Sequence, residues 1–441
     1  MNNTAAAPMT HIRLLMLSAI VVASFVLRYV YVHTAVVDNP LRGDAWQYFC
    51  YAWNLLKHGT FSLARPLSGA VTPDSFRDPG YPVFFASLMA IRGTGREVYD
   101  TLLLVQCLLG TATVAIWISL ANRYLGFAAA FATGILLGAW PHLVSFTGYV
   151  LSETFLGFLL ASALWLLDTA LRRRSRIIAT ASGLAFSAAA LTNAVVLPMA
   201  PLLAVIMLWK DPSRRAFWLT FLIACTLPSA MWIARNTTLP TGTSANGRAA
   251  INLVQGSWPE YHTAAFSAIQ LHDPHAQIVM ATIDREASAM QFSWSQGLPL
   301  LWHRFSADPL KYVRWYTQKP ALLWSWDVAV GQGDIYVFPT GHSPFEENVW
   351  LRAWEGVCFV LNPWLALLAL LGVAQTLRSH QVPLVIRWTG AIVVLATVTF
   401  VLLQAEPRYA VPYRGMEIIL AITAAITLCR AIAHRRASAS A

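Results

Sequence analysis

RGDAWQYFCYAWNLLKHGTFS, residues 42–62, followed at 75–82 by SFRDPGYP, decides how this chain is read. It comes just after a first apolar run at 12–33 and sets a carboxylate, Asp44, in a polar, aromatic loop, with Arg77 and Tyr81 where the chain returns to apolar sequence. Trp46, Phe49, Cys50, Trp53 and Leu56 fall on one face at helical spacing, so Asp44 heads an amphipathic helix lying on a membrane surface. An Asp there is ordinarily a helix cap worth about 1 kcal/mol. It is also well placed to take a proton from an incoming hydroxyl or amine.

Composition sets the class outside that loop. With 57% hydrophobic and 12% charged residues and a mean hydropathy of +0.52, an ordinary globular protein is excluded. The reading is an all-α polytopic membrane protein. A hydrocarbon core about 30 Å thick needs roughly 20 apolar residues per helix, which gives about ten transmembrane helices here. The runs lie at 12–33, 98–121, 125–143, 149–171, 177–195, 197–209, 216–234, 351–376, 385–404 and 410–430, and the one at 197–209 is short. The first run reads as a retained helix and not a cleaved leader.

The formal charge of +10 marks topology and not nucleic acid. Arg123, the run Arg172 to Arg176, Lys210 with Arg214 and Arg215, Arg378 with Arg387, and Arg430, Arg435 and Arg436 can all face the cytoplasm at once. Both termini are then cytoplasmic. The stretch from Tyr81 to Ile91 is only about half a span; if it crossed, every later basic cluster would turn outward, so it reads as a surface or re-entrant helix. The expected organisation is an N-terminal transmembrane catalytic module at 1–234 that includes a first outer loop at 34–97, an extracytoplasmic segment at 235–350, and C-terminal transmembrane helices with a basic cytoplasmic tail at 351–441. The outer segment, rich in tryptophan (Trp258, Trp294, Trp302, Trp315, Trp324, Trp326, Trp350), reads as a mostly helical cap suited to an interface belt or to sugar and lipid.

Asp44, Asp74, Asp78, Asp100, Glu153 and Glu406 all fall at outer helix ends or loops. The five cysteines form no disulfide framework by position, and metal spacings, a Walker loop and a dinucleotide fingerprint are missing from the sequence. Arg77 sits beside the Pro79-Gly80 turn, where a guanidinium either snorkels or holds a phosphate bidentately. Glu153 opens an apolar run: a first-turn acid by default, but costly this close to lipid. Arg235 with Asn236, and Arg408 with Tyr409, lie outside against the positive-inside trend. They call for an anionic partner, either Glu153 or Glu406 or a phosphate.

The order of these motifs resembles a known family. GDAWQYFCYAWNLLKHGTFS, RDPGYP, VLSETF, LTN, WIARN and PRYAVP together are similar to the bacterial integral-membrane glycosyltransferases of the C-type fold, the aminoarabinose-transferase-like and protein O-mannosyltransferase-like groups and the related lipopolysaccharide-core transferases. The resemblance implies an inverting transferase of the bacterial inner membrane. It would move a sugar from a polyprenyl-phosphate donor to an envelope glycolipid, glycan or protein acceptor on the periplasmic or outer face. It implies Asp44 as base, Glu153 as the acid that orients the acceptor or, in some relatives, a divalent cation, and Arg77, Tyr81, Arg235, Asn236, Arg408 and Tyr409 near the carrier phosphate and sugar. Two departures are a single Pro before Gly80 and Asn193 where relatives carry Arg or Lys. The competing classes are a lipid-linked sugar flippase, a glycan polymerase or ligase, and a non-catalytic envelope-assembly subunit. The near absence of charge at helix centres counts against the first.

Overall fold

The structure, a computed structural model, describes residues 10–239, 245–328, 334–379 and 382–439. All ten apolar runs become helices. In chain order the first half holds α1 (His11–Thr34), α2 (Asp44–His58), α3 (Gly80–Arg92), α4 (Arg96–Leu125), α5 (Phe127–Ala139), α6 (Pro141–Ser145), α7 (Glu153–Arg173), α8 (Arg176–Thr192), α9 (Met199–Lys210) and α10 (Arg215–Asn236). The outer segment holds α11 (Ala245–Ser257), α12 (Tyr261–Gln270), α13 (Pro274–Phe292), α14 (Trp294–Ala307) and α15 (Pro309–Leu323). Then come α16 (Pro344–Glu347), α17 (Val349–Arg378), α18 (Leu384–Leu402), α19 (Pro407–Ala410) and α20 (Arg414–Ala439).

Among the described residues seven helical runs are long and apolar enough to cross a membrane, or eight if α5 and the segment Pro141–Gly148, bent by 56°, make one span. α8 and α9 are apolar but only 17 and 12 residues long. The ten expected spans are thus seven or eight of full length plus two short helices. α3, at 13 residues, is too short to cross. It packs on α2, α4 and α8, and that contact holds the loop from Arg42 to Pro82 against the bundle.

Charge does enter the apolar helices, and three such groups have clear partners. Arg28 of α1 is fully buried and donates to the carbonyls of Gly138 (2.7 Å) and Leu137 (3.1 Å). Those carbonyls lie in the last turn of α5, where no intrahelical donor remains. Trp354 of α17 caps the next one, Ala139, at 2.8 Å. The bend between α5 and α6 is therefore held open by side chains from α1 and α17. Elsewhere Asp168 accepts from Arg123 and Tyr124, and Arg414 pairs with Glu417 at 2.8 Å.

The outer segment is helical from α11 to α15, as expected of a cap. Two contacts tie it down. A two-stranded ladder, β1 (Val36–Val37) with β2 (Thr340–Gly341), joins the first loop to the stretch after the cap. Gly256 of α11 sits against the end of α18 so closely that a Cβ there would lie 1.7 Å from the Leu403 carbonyl. Lys319 of α15 completes that joint, donating to the carbonyls of Gly256 (3.0 Å) and Leu403 (2.9 Å).

Candidate active site

Asp44 is the first residue of α2, but it does not cap the helix. The N-cap is Gly43, whose φ of 57° and ψ of −123° suit glycine far better than an L side chain. No side chain caps this end of α2. The Asp44 carboxylate instead binds two guanidinium groups, one oxygen accepting from Arg77 and the other from Arg408. Arg77 also donates to Gln47 one turn along α2 at 2.5 Å and lies 5.4 Å from the Tyr48 ring centroid. Arg408 donates from Nε to Glu153 at 2.6 Å.

Four segments far apart in sequence therefore meet. The helix start at Asp44, the RDPGYP turn, the first turn of α7 and the short α19 supply two carboxylates and two guanidiniums, each of these side chains no more than a quarter exposed. Burial alone would raise the Asp44 carboxyl, yet Arg408 and Arg77 overcome it and hold the group well below the usual carboxylate range. Asp44 is thus ionised at neutral pH and, while both arginines grip it, a weak base. The other Glu153 oxygen, Oε2, is buried with no hydrogen-bond partner among the described residues.

Beside this cluster lies a cavity of 190 Å³ lined by Phe76, Asp78, Asn193, Arg248, Gln404 and Tyr409. Phe76 and Tyr409 are the chain neighbours of Arg77 and Arg408, so the cavity abuts the ion-pair network. Tyr409 stacks on Phe400 with centroids 5.1 Å apart. Asn193 ends α8, accepts from the Val195 amide at 3.0 Å and faces the same cavity. Arg248, on the cap helix α11, acts electrostatically on Asp44 and Asp78 but makes no hydrogen bond or ion pair among the described residues. Asp78 accepts from the Ala194 amide at 3.2 Å, and burial raises its carboxyl while Arg248 opposes the rise.

Glu406 borders the cluster on the other side. It accepts from Gln404 at 2.8 Å, and His262 of the cap approaches it at 3.7 Å. Burial lifts its carboxyl to about 7, against the pull of Arg408 and with the help of Asp44 and Glu153.

The remaining site candidates lie elsewhere. Tyr81 is wholly buried and its hydroxyl donates to Gln106 at 2.9 Å, while Gln106 ties down the carbonyls of Thr147 and Tyr149. It is a strut under the cluster. Arg235 donates to the Asp74 carbonyl at 2.6 Å and to Asn236 Oδ1 at 3.1 Å, and stacks on Trp232 at 4.8 Å. This pair braces the first loop, whose Asp74 carboxylate takes the Tyr51 hydroxyl and the Leu63 amide. No three His, Cys, Asp or Glu side chains converge among the described residues. Arg408 donates to one oxygen each of Asp44 and Glu153.

The sequence reading missed Arg248, Gln47 and Arg28. Arg248 had a visible signal: it is another arginine on the outer side, in NGRAAINL, just before an apolar helical pattern. Gln47 had one too, lying one helical turn beyond Asp44.

No family model matches the chain, and no curated protein matches its sequence. Solved structures do match its shape. The apo oligosaccharyltransferase of Archaeoglobus fulgidus aligns over 96% of this chain and 51% of its own, with a TM-score of 0.52 at 12% identity. The same enzyme tethered to an acceptor peptide containing an NVT sequon gives 97%, 51%, 0.51 and 12%. The chain thus spans about half the length of that relative. ArnT from Cupriavidus metallidurans bound to undecaprenyl phosphate aligns over 94% of this chain and 77% of its own, with a TM-score of 0.37 at 16% identity. The likeness to the oligosaccharyltransferase shows the fold, and this chain has the C-type glycosyltransferase fold.

Proposed function

We propose that the chain is an inverting glycosyltransferase that moves a sugar from a polyprenyl-phosphate donor to an envelope acceptor at the extracytoplasmic face of a bacterial inner membrane. One observation carries this reading: a carboxylate held between two guanidiniums from separate segments, beside a cavity lined by a third guanidinium, Arg248, that has no hydrogen bond or ion pair among the described residues. The C-type fold is consistent with it.

The chemistry follows from charge. When the acceptor oxygen or nitrogen attacks the anomeric carbon, the bond from that carbon to the phosphate oxygen breaks and the phosphate leaves with added negative charge. Pre-placed guanidiniums in a water-poor site stabilise that charge without reorganising. The acceptor proton goes to Asp44. A phosphate that draws Arg408 or Arg77 away from Asp44 relieves one of the two contacts that depress its basicity, so donor binding would itself make Asp44 a stronger base. A single displacement with one base inverts the anomeric centre. Glu153, gripping Arg408, holds that guanidinium in reach of both tasks.

Mass spectrometry of envelope glycolipids and glycoproteins, with and without the chain, tests the reading. Loss of one glycosyl increment from a lipid, glycan or protein is expected and would identify sugar and acceptor together. An unaltered glycan profile alongside altered movement of a lipid-linked sugar across the membrane would favour a flippase.

A further inference from the structure

We infer that the cap is seated in the bilayer by a groove between α14, α15 and the end of α18, and that the groove holds one hydrocarbon chain of a membrane lipid. The groove encloses 660 Å³ and is lined almost wholly by carbon, from Leu298, Leu301, Trp302, Phe305 and Tyr316 of the cap and Leu402 of α18. A second apolar hollow of 470 Å³ shares Trp302, Phe305 and Tyr316 and extends the surface to Val313.

Spacing explains how the face forms. Trp294, Leu298 and Trp302 recur every fourth residue along α14, and Val313 and Tyr316 sit three apart on α15, so each helix turns one apolar stripe toward the other. These are not core residues: Trp302 is 73% exposed and Val313 61%. Contiguous apolar surface of this extent marks an interaction surface and not ordinary scatter.

Continuity identifies the occupant. α18 passes the length and apolarity test for a membrane span, and its exposed stripe runs through Val394, Val398 (50%) and Leu402 (55%). Leu402 ends that lipid-facing stripe and also lines the groove, so the surface that meets lipid tails along α18 runs unbroken into the cap. An acyl chain lying along α18 needs no polar crossing to enter. Trp302, which lines both hollows, is a side chain that favours the boundary between headgroups and tails. Helices that bind this way lie in the interface plane with one face buried about 5–10 Å deep.

The test uses the full chain with Cys429, the one exposed cysteine among the described residues, replaced by Ser, reconstituted in phospholipid nanodiscs. Nitroxide labels are attached in separate Trp302→Cys, Val313→Cys, Val398→Cys and Arg285→Cys variants, and power saturation compares collisions with oxygen and with a water-soluble nickel chelate. Labels at 302 and 313 should favour oxygen, as at 398, whereas 285, exposed on α13 and outside the groove lining, should favour nickel. Nickel access at 302 and 313 matching that at 285 overturns the inference. So does a split between 302 and 313, since one surface contains both, and so does shielding from both reagents, which would put protein there. If Trp302→Cys fails to fold, Leu298→Cys takes its place. No turnover is measured, so the result is independent of the proposed chemistry.

Discussion

Arg408 and Asp44, 364 residues apart in sequence, form an ion pair that joins the short α19 to the start of α2. Arg408 also carries Glu153 at 2.6 Å, so one guanidinium keeps two partly buried carboxylates from facing each other bare. Removing one partner of such a buried pair typically costs about 3–5 kcal/mol. Arg408→Ala should lower thermal stability in detergent by an amount in that range. Arg408→Lys keeps the charge but cannot span both acids, so it should fold with a smaller loss and raise the donor KM. An unchanged melting temperature in Arg408→Ala would remove this arginine from the network.

Arg248 makes no hydrogen bond or ion pair among the described residues, so Arg248→Ala has little to break. Its melting temperature should stay at wild type while the KM for a polyprenyl-phosphate sugar rises about tenfold, as a lost charge-assisted hydrogen bond of roughly 1.5 kcal/mol requires. Donor titration of the purified variant checks this. An unchanged KM would place the donor phosphate away from the cap.

Glu406 gives the site a pH dependence near neutrality. The group titrates near 4.5 when unperturbed and at about 7 in the fold. Between those values the folded chain keeps a proton that the unfolded chain has lost, so Glu406's contribution to stability falls as pH rises through that window and changes no further above about 7. Ionisation also adds a negative charge beside Arg408, so donor affinity should weaken as pH rises through about 7. Glu406→Gln should remove the fall in stability between about 4.5 and 7 and the loss of donor affinity through about 7. Lys319, which burial lowers to about 7, acts above that window and with the opposite slope on stability. His262, which burial and Lys319 lower from 6.5 to about 4, acts within Glu406's window with the opposite slope, so Glu406→Gln should leave stability rising with pH there. A donor-affinity profile that keeps its shape in Glu406→Gln would assign the dependence to another group.

Most of the fold was legible because lipid imposes a simple rule on sequence: apolar length. The ten runs, the short helix at α3 and the shortness of the run at 197–209 follow from it. Span length in α8 was less legible, since apolar sequence flanking a short helix reads like part of a span until loops and caps such as Asn193 end it. The site divides along a similar line. Asp44, Arg77, Glu153 and Arg408 stood out as charges at helix ends on the outer side, and they meet in space. Arg235 stood out for the same reason but braces the first loop, and Tyr81, singled out beside the Pro79-Gly80 turn, bonds Gln106 instead, because sequence shows that a polar group needs a partner and not which partner folding brings. Arg28 was hidden inside an apolar run, its reason lying in the carbonyls at the end of α5.

Those carbonyls make Arg28 a stability test. Arg28→Met preserves bulk and removes the donors to Leu137 and Gly138, leaving two buried acceptors unpaired at about 1–3 kcal/mol each. The melting temperature should fall clearly, and the bend between α5 and α6 should become the first region to exchange amide hydrogens. Wild-type stability would mean that water or a neighbouring helix caps that turn instead.

The most direct measurement is single-turnover transfer by the purified full chain, in lipid, from a polyprenyl-phosphate sugar to its envelope acceptor, comparing wild type with Asp44→Asn. The amide keeps the size of Asp44 and an acceptor for one arginine but cannot take the proton. The rate should fall about 10²- to 10⁴-fold in protein that still folds and binds donor, with a lowered melting temperature because the charge between Arg77 and Arg408 is lost. Transfer at near the wild-type rate in Asp44→Asn would contradict the assignment of Asp44 as the base, and with it the reading of this cluster as the reacting centre.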